Sequence, residues 1–112
     1  MTIEEHKSLK AYNTFGVAVN ARYFTTVNNT SQLHEVLDSN LHKEQLILGG
    51  GSNILFIKDV DALVIHLDLK GIKEEVLDEN HVFLHVKAGE NWHELVRYCV
   101  DKDYGGIENL SL

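Results

Sequence analysis

Gln45-Leu46-Ile47-Leu48-Gly49-Gly50-Gly51-Ser52-Asn53-Ile54-Leu55-Phe56-Ile57-Lys58 is the stretch on which the reading of this chain turns. The apolar run Leu46–Leu48 predicts a short buried strand, ended by three glycines. Without a Cβ, that backbone can reach φ > 0 and leaves nothing between the main chain and whatever lies against it. Two readings of the turn follow. One is a plain tight turn; the other is an anion cradle, where successive N–H groups converge and Ser52 and Asn53 add side-chain donors. The pattern is neither a P-loop, since no Lys-Ser or Lys-Thr pair follows, nor a Rossmann fingerprint, since Ile54 stands where the third glycine belongs. The second run, Ile54–Ile57, predicts strand rather than helix, so no helix N-terminus is expected to assist at the turn.

Composition narrows the classes. A chain of 112 residues is one domain's worth, and 44% hydrophobic with 24% charged residues is ordinary globular composition. A formal net charge of -7 argues against nucleic-acid binding, which relies on clustered Lys and Arg, but not against a nucleotide whose pyrophosphate is held by backbone N–H groups. Cys99 is the single cysteine, so no intrachain disulfide can form. No apolar stretch approaches the ~18 residues of a membrane span, and Met1–Lys10 is too polar for a signal peptide. These features together suggest a cytoplasmic protein.

Taken in order, the polar stretch Thr2–Ala11 is expected to wrap over the surface or fray. Asn13-Thr14-Phe15-Gly16 reads as an Asx-type turn that anchors Phe15 in the core. Asn20–Val27 predicts a strand, and Thr30 is expected to cap a short helix from Ser31 to about Ser39, with Leu33, Val36 and Leu37 at helical spacing. Ala62–Leu67 predicts another strand. Ile72–Leu77 and Val82–Ala88, separated by Asp78-Glu79-Asn80, predict a hairpin whose second arm is half-buried, with Val82, Leu84 and Val86 on one face and Phe83, His85 and Lys87 on the other. Asn91 is placed to cap the best helix of the chain, with Glu94 three residues on and Trp92, Leu95, Val96, Cys99 and Val100 forming its apolar stripe. Cys99 lies inside that stripe and is expected to pack rather than react. Ile107–Leu112 predicts extended or irregular chain. His81 and His85 stand four apart on a strand with no further ligand nearby, so no zinc site is expected.

Four blocks then carry a resemblance: Ser8-Leu9-Lys10 with Asn13-Thr14-Phe15-Gly16, Ile47–Leu55, Ala88-Gly89-Glu90-Asn91-Trp92, and Gly106-Ile107-Glu108-Asn109-Leu110. In order and spacing they resemble the UDP-N-acetylenolpyruvoylglucosamine reductases, the MurB family of peptidoglycan synthesis, from about Ser8 to Leu112. The resemblance implies an α+β fold with small mixed sheets and two helices, part of a vanillyl-alcohol-oxidase/PCMH-type FAD-binding domain in which FAD lies between two subdomains. It also implies that Gly49, Gly50, Gly51, Ser52 and Asn53 form the FAD pyrophosphate cradle, with Asn13 and Thr14 beside the cofactor. Family members often carry another residue at the position of Gly50, which would then supply backbone alone.

In such a reductase NADPH reduces FAD, hydride passes to the enolpyruvyl group of a UDP-sugar, and a serine, an arginine and a glutamate complete the chemistry. None of those three matches a residue here, and Arg22 and Arg97 belong to other blocks. Residues 1–112 are thus expected to be the N-terminal portion of the FAD-binding domain, without the rest of that domain or the substrate domain. Such a portion is expected to be inactive alone and to self-associate through uncovered apolar surface. Two alternatives carry different expectations: another FAD-dependent oxidoreductase of the same fold, or a free-standing non-catalytic module that binds a nucleotide or a protein.

Overall fold

The structure, a computed structural model, describes residues 2–110. The chain divides into two compact units, Met1–Leu69 and Lys70–Leu112. In the first, β1 (Glu4–Ser8), β2 (Asn20–Val27), α1 (Thr30–Leu37), β3 (Gln45–Leu48) and β4 (Val60–Leu67) follow in order. They build one sheet with strand order β1-β2-β4-β3. β1 is antiparallel to β2, whereas β2, β4 and β3 run parallel. Central β4 carries Ala62, Leu63, Val64 and Ile65 buried in succession, the continuous apolar run of a strand covered on both faces. One core cluster gathers Leu9, Val19, Phe24, Leu48, Phe56 and Val64; a second gathers Val27, Val36, Leu63, Ile65 and Leu69.

Four expectations change here. Thr2–Ala11 does not fray: Glu4–Ser8 is a strand paired to β2, followed by a 3-10 turn over Lys10–Tyr12. Its polar composition suits an edge strand, where charge discourages further pairing, and Leu9, fully buried, anchors it. Phe15 is not a core residue; it is 62% exposed, because Leu9 and Tyr12 fill the space beneath the turn. Ile54–Ile57 joins no ladder. Its residues alternate in depth, Phe56 buried and Ile57 86% exposed, and Phe56, with half-buried Ile54 beside it, ties the segment to the core. Finally, Asn29 rather than Thr30 caps α1, accepting from Gln32 N–H at 2.9 Å, while Gln32 Oε1 reaches back to Asn28 N–H at 2.7 Å.

The second unit holds the expected hairpin, β5 (Ile72–Val76) with β6 (Val82–Val86), and then α2 (Trp92–Asp101). Val82, Leu84 and Val86 occupy the half-buried face and Phe83 and His85 the exposed one. Asn91 caps α2 by accepting from Glu94 N–H at 3.0 Å. Leu95, Val96 and Cys99 are buried, whereas Trp92 and Val100 at the ends of the stripe are exposed. Burial pushes the Cys99 thiol up, which suits packing rather than nucleophilic chemistry. Within the stretch expected to be extended or irregular, Glu108–Leu110 forms a single 3-10 turn, with Trp92 Nε1–H donating to Leu110 O at 2.6 Å. Ser111 and Leu112 lie outside the described residues.

Glu74 joins the hairpin to the helix. Its carboxylate accepts from the Tyr98 hydroxyl, from Tyr104 Oη at 3.2 Å and from Lys102 Nζ at 3.2 Å. The Tyr98 hydrogen bond, aided by Lys102, holds the Glu74 carboxyl below its ordinary value of 4.5. A depressed carboxylate stabilises the fold above its unfolded-state pKa, and that contribution is lost as pH falls through the folded value. Glu74→Gln is accordingly expected to lower the melting temperature at about pH 7 and to converge on the parent chain toward about pH 3. Thermal scans of Trp92, the single tryptophan, check this; a gap that persists at low pH would show that Glu74 acts through shape alone.

Candidate functional site

β3 delivers the glycine turn to the carboxyl end of the parallel strands, where open sheets of this kind present ligand sites. Leu48, the last residue of β3, lies opposite His66 of β4, which in turn lies opposite Thr26 of β2. Gly49 is half-buried, Gly51 buried, and Gly50, Ser52 and Asn53 exposed. The two motifs singled out in the sequence meet here, across 37 positions: Thr14 N–H donates to Gly51 O at 3.0 Å, and Thr14 Oγ1 lies 3.4 Å from the same oxygen.

The glycines serve different ends. A Cβ at Gly49 or Gly50 would meet nothing within 4 Å, so the outer side of the turn is open. Gly51 has φ +69°, and a Cβ there would fall 2.0 Å from Tyr12 O and 2.8 Å from Asn13 Cα. Gly51 is therefore required by the protein's own backbone, which approaches too closely for any side chain. Asn13 is likewise turned inward. Its Nδ2 donates to Leu9 O at 2.8 Å and Val17 O at 3.2 Å, and its Oδ1 accepts from Val17 N–H at 3.0 Å. Both amide hydrogens are consumed in shaping the turn. Gly50, Ser52 and Asn53 are the exposed residues of the turn, and their main-chain N–H, hydroxyl and amide groups are of the type that suits phosphate oxygens.

Sequence reasoning missed Tyr12, whose carbonyl supports Gly51. Its only signal was its place immediately before Asn13. Other side chains are engaged elsewhere: Arg22 pairs with Asp61 at 3.6 Å, His81 with Asp78 at 3.0 Å and His85 with Glu75 at 3.3 Å. Among the described residues no group of His, Cys, Asp and Glu is arranged to hold a metal ion. No helix among them is long and apolar enough to cross a membrane.

Parallel strands ending in an open glycine turn, within a chain of two small sheets and two helices, define an α+β domain. The chain belongs to the FAD binding domain family, whose sequence model matches residues 21–112, and FAD is that family's cofactor. Over its whole length it is similar to UDP-N-acetylenolpyruvoylglucosamine reductases: 53% identical to that of Amoebophilus asiaticus, 46% to that of Flavobacterium johnsoniae and 40% to that of Pseudomonas putida. All of the chain is covered in each, against 34%, 33% and 34% of the relatives. The chain thus spans about a third of the length of the curated relatives it matches.

The contrast between neighbouring glycines is testable. Gly51→Ala combines a left-handed φ with a backbone clash and is expected to destabilise by about 2–4 kcal/mol, whereas Gly50→Ala is expected to stay within about 0.5 kcal/mol of the parent. Urea unfolding followed by circular dichroism measures both; equal costs would contradict the packing of Gly51 against Tyr12.

Proposed function

We propose that this chain is the part of a UDP-N-acetylenolpyruvoylglucosamine reductase that holds the pyrophosphate of FAD, and that Gly49–Asn53 is its cradle. The observation that carries this reading is the clamp of Thr14 on Gly51, which fixes the turn while leaving Gly50, Ser52 and Asn53 facing outward. When bound, FAD supplies hydride transfer between NADPH and the enolpyruvyl group of the UDP-sugar in the complete reductase. The residues of this chain bind and orient. Gly50 offers main-chain N–H, Ser52 and Asn53 offer side-chain donors, and Asn13 and Thr14 keep the turn in register from behind. No proton-transfer step is assigned to any of them. Residues 1–112 are read as the N-terminal portion of the FAD-binding domain, working in the cytoplasm, with the UDP-sugar bound only by the complete protein.

A backbone cradle also suits an acidic chain. With 17 Asp and Glu against 10 Lys and Arg, attraction for a pyrophosphate has to be local, and convergent N–H dipoles supply it without net charge. Self-association is a second part of the proposal, favoured by the shallow apolar groove that Leu46, Ile54, Leu55 and Ile57 line, with Leu55 and Ile57 widely exposed. Sedimentation velocity is expected to show a concentration-dependent shift, and a single monomer boundary at high concentration would rule that part out.

Flavin retention tests the cofactor reading. The purified chain, mixed with FAD and desalted, is expected to keep visible flavin absorbance. The double substitution Ser52→Ala and Asn53→Ala is expected to weaken binding by about a hundredfold or more, since each lost hydrogen bond to a charged oxygen removes about 1.5–3 kcal/mol. Equal retention by parent and double variant would move the pyrophosphate away from this turn.

A further inference from the structure

Gly51 rests on the Tyr12–Asn13 peptide, so whatever fixes Tyr12 fixes the turn. Tyr12 is held in two ways. Its N–H donates to Leu9 O at 2.9 Å, closing the 3-10 turn that follows β1. Its ring fills a corner made by Phe24 and His66, with centroids 4.7 Å and 5.1 Å away and interplanar angles of 50° and 69°. These tilted and edge-on geometries are the favourable ones for aromatic pairs. His66 is itself braced: it stacks on Phe24 at 6.1 Å and 18°, and its Nδ1 lies 3.2 Å from Thr26 Oγ1.

Phe24 and Thr26 stand on β2, and His66 stands on β4 opposite Leu48, the residue that leads into the glycines. The turn is therefore joined to the sheet twice, covalently through Leu48 and through space along His66, Tyr12 and Gly51. Buried Phe56 ties the segment after the turn to the same core, so the through-space link is what fixes the middle of the turn, at Gly51.

We propose that Tyr12, seated against Phe24 and His66, is the positioning residue of the glycine turn. It transmits the register of the parallel sheet to Gly51 and so sets where the outward N–H groups of Gly50 and Ser52 point. This deepens the cofactor reading and rests on it for its consequence, FAD affinity, though the mechanical coupling stands on the geometry of the chain itself. A ring that merely filled space would be replaceable by any apolar side chain without disturbing the turn. A positioning ring would not be.

The experiment uses the ¹⁵N-labelled chain without and then with FAD, in the parent, Tyr12→Ala, Tyr12→Phe and Val36→Ala. Val36 belongs to the second core cluster and does not adjoin the turn, so its truncation controls for general destabilisation. Tyr12→Ala is expected to speed local amide exchange at Thr14, the donor to Gly51 O, by about tenfold or more and to shift the Gly49–Asn53 amide resonances. It is also expected to weaken FAD binding by about tenfold, while Tyr12→Phe and Val36→Ala stay within about twofold of the parent in both.

Parent-like exchange and resonances in Tyr12→Ala would overturn the inference whether or not FAD binds. Faster exchange in Tyr12→Ala, beside a parent chain that retains no FAD, would uphold the coupling and overturn the cofactor reading. If Tyr12→Ala does not fold, Tyr12→Leu keeps bulk in the corner without the ring, with the same expected and overturning results.

Discussion

One close approach between two backbones governs the first unit: Gly51 lies against the Tyr12–Asn13 peptide where no side chain could fit, and Thr14 locks it there by a hydrogen bond. Because Gly51 is the buried member of the turn, the residues on either side face outward by default. The inward-facing amide of Asn13 shapes the loop that receives Gly51, while Ser52 and Asn53 stay exposed beyond it. Removing it would free the turn without altering a single hydrogen bond of the sheet.

Much of this was legible in the residues. The strands Asn20–Val27, Ala62–Leu67 and the hairpin follow from β-branched runs and alternation, and α2 from its cap and stripe, because local pattern and tertiary burial agree there. The failures are equally physical. Glu4–Ser8 carries no apolar alternation because an edge strand buries little of itself, so its pairing with β2 could not be read from pattern. Ile54–Ile57 has strand composition, yet Phe56 alone is buried, and composition does not tell whether a ladder partner exists. In α1 the cap moved by one residue because Asn29 and Thr30 are both competent, and Gln32 decides between them by answering Asn29.

The site was legible in its parts but not in its division of labour. Three glycines in a row suggest three equivalent contributions to a ligand. Instead, Gly49 and Gly50 leave open space, while Gly51 answers to the protein's own chain. Tyr12 carries no motif signal, since its part is played by a carbonyl oxygen and by a ring seated on two distant strands. Such roles depend on which residues the sheet brings together. The second unit is organised differently, around a carboxylate that gathers two tyrosines and a lysine.

The parallel pairing of β2 with β4 also has a consequence in time. Thr14 and Gly51 are separated by 37 positions, and Thr26 and His66 by 40, so the contacts that bring Gly51 to its seat and His66 to Thr26 are long-range. Loop-closure entropy must be overcome before such contacts give anything back, which makes high contact order slow. A chain emerging from the ribosome exposes its glycines well before β4 is complete. Until β4 is available to pair, Asn13 can close its own small turn with Val17, but His66 is not yet in place beside Tyr12. The outward-facing donors are thus a late product of folding, completed when the central strand enters the sheet.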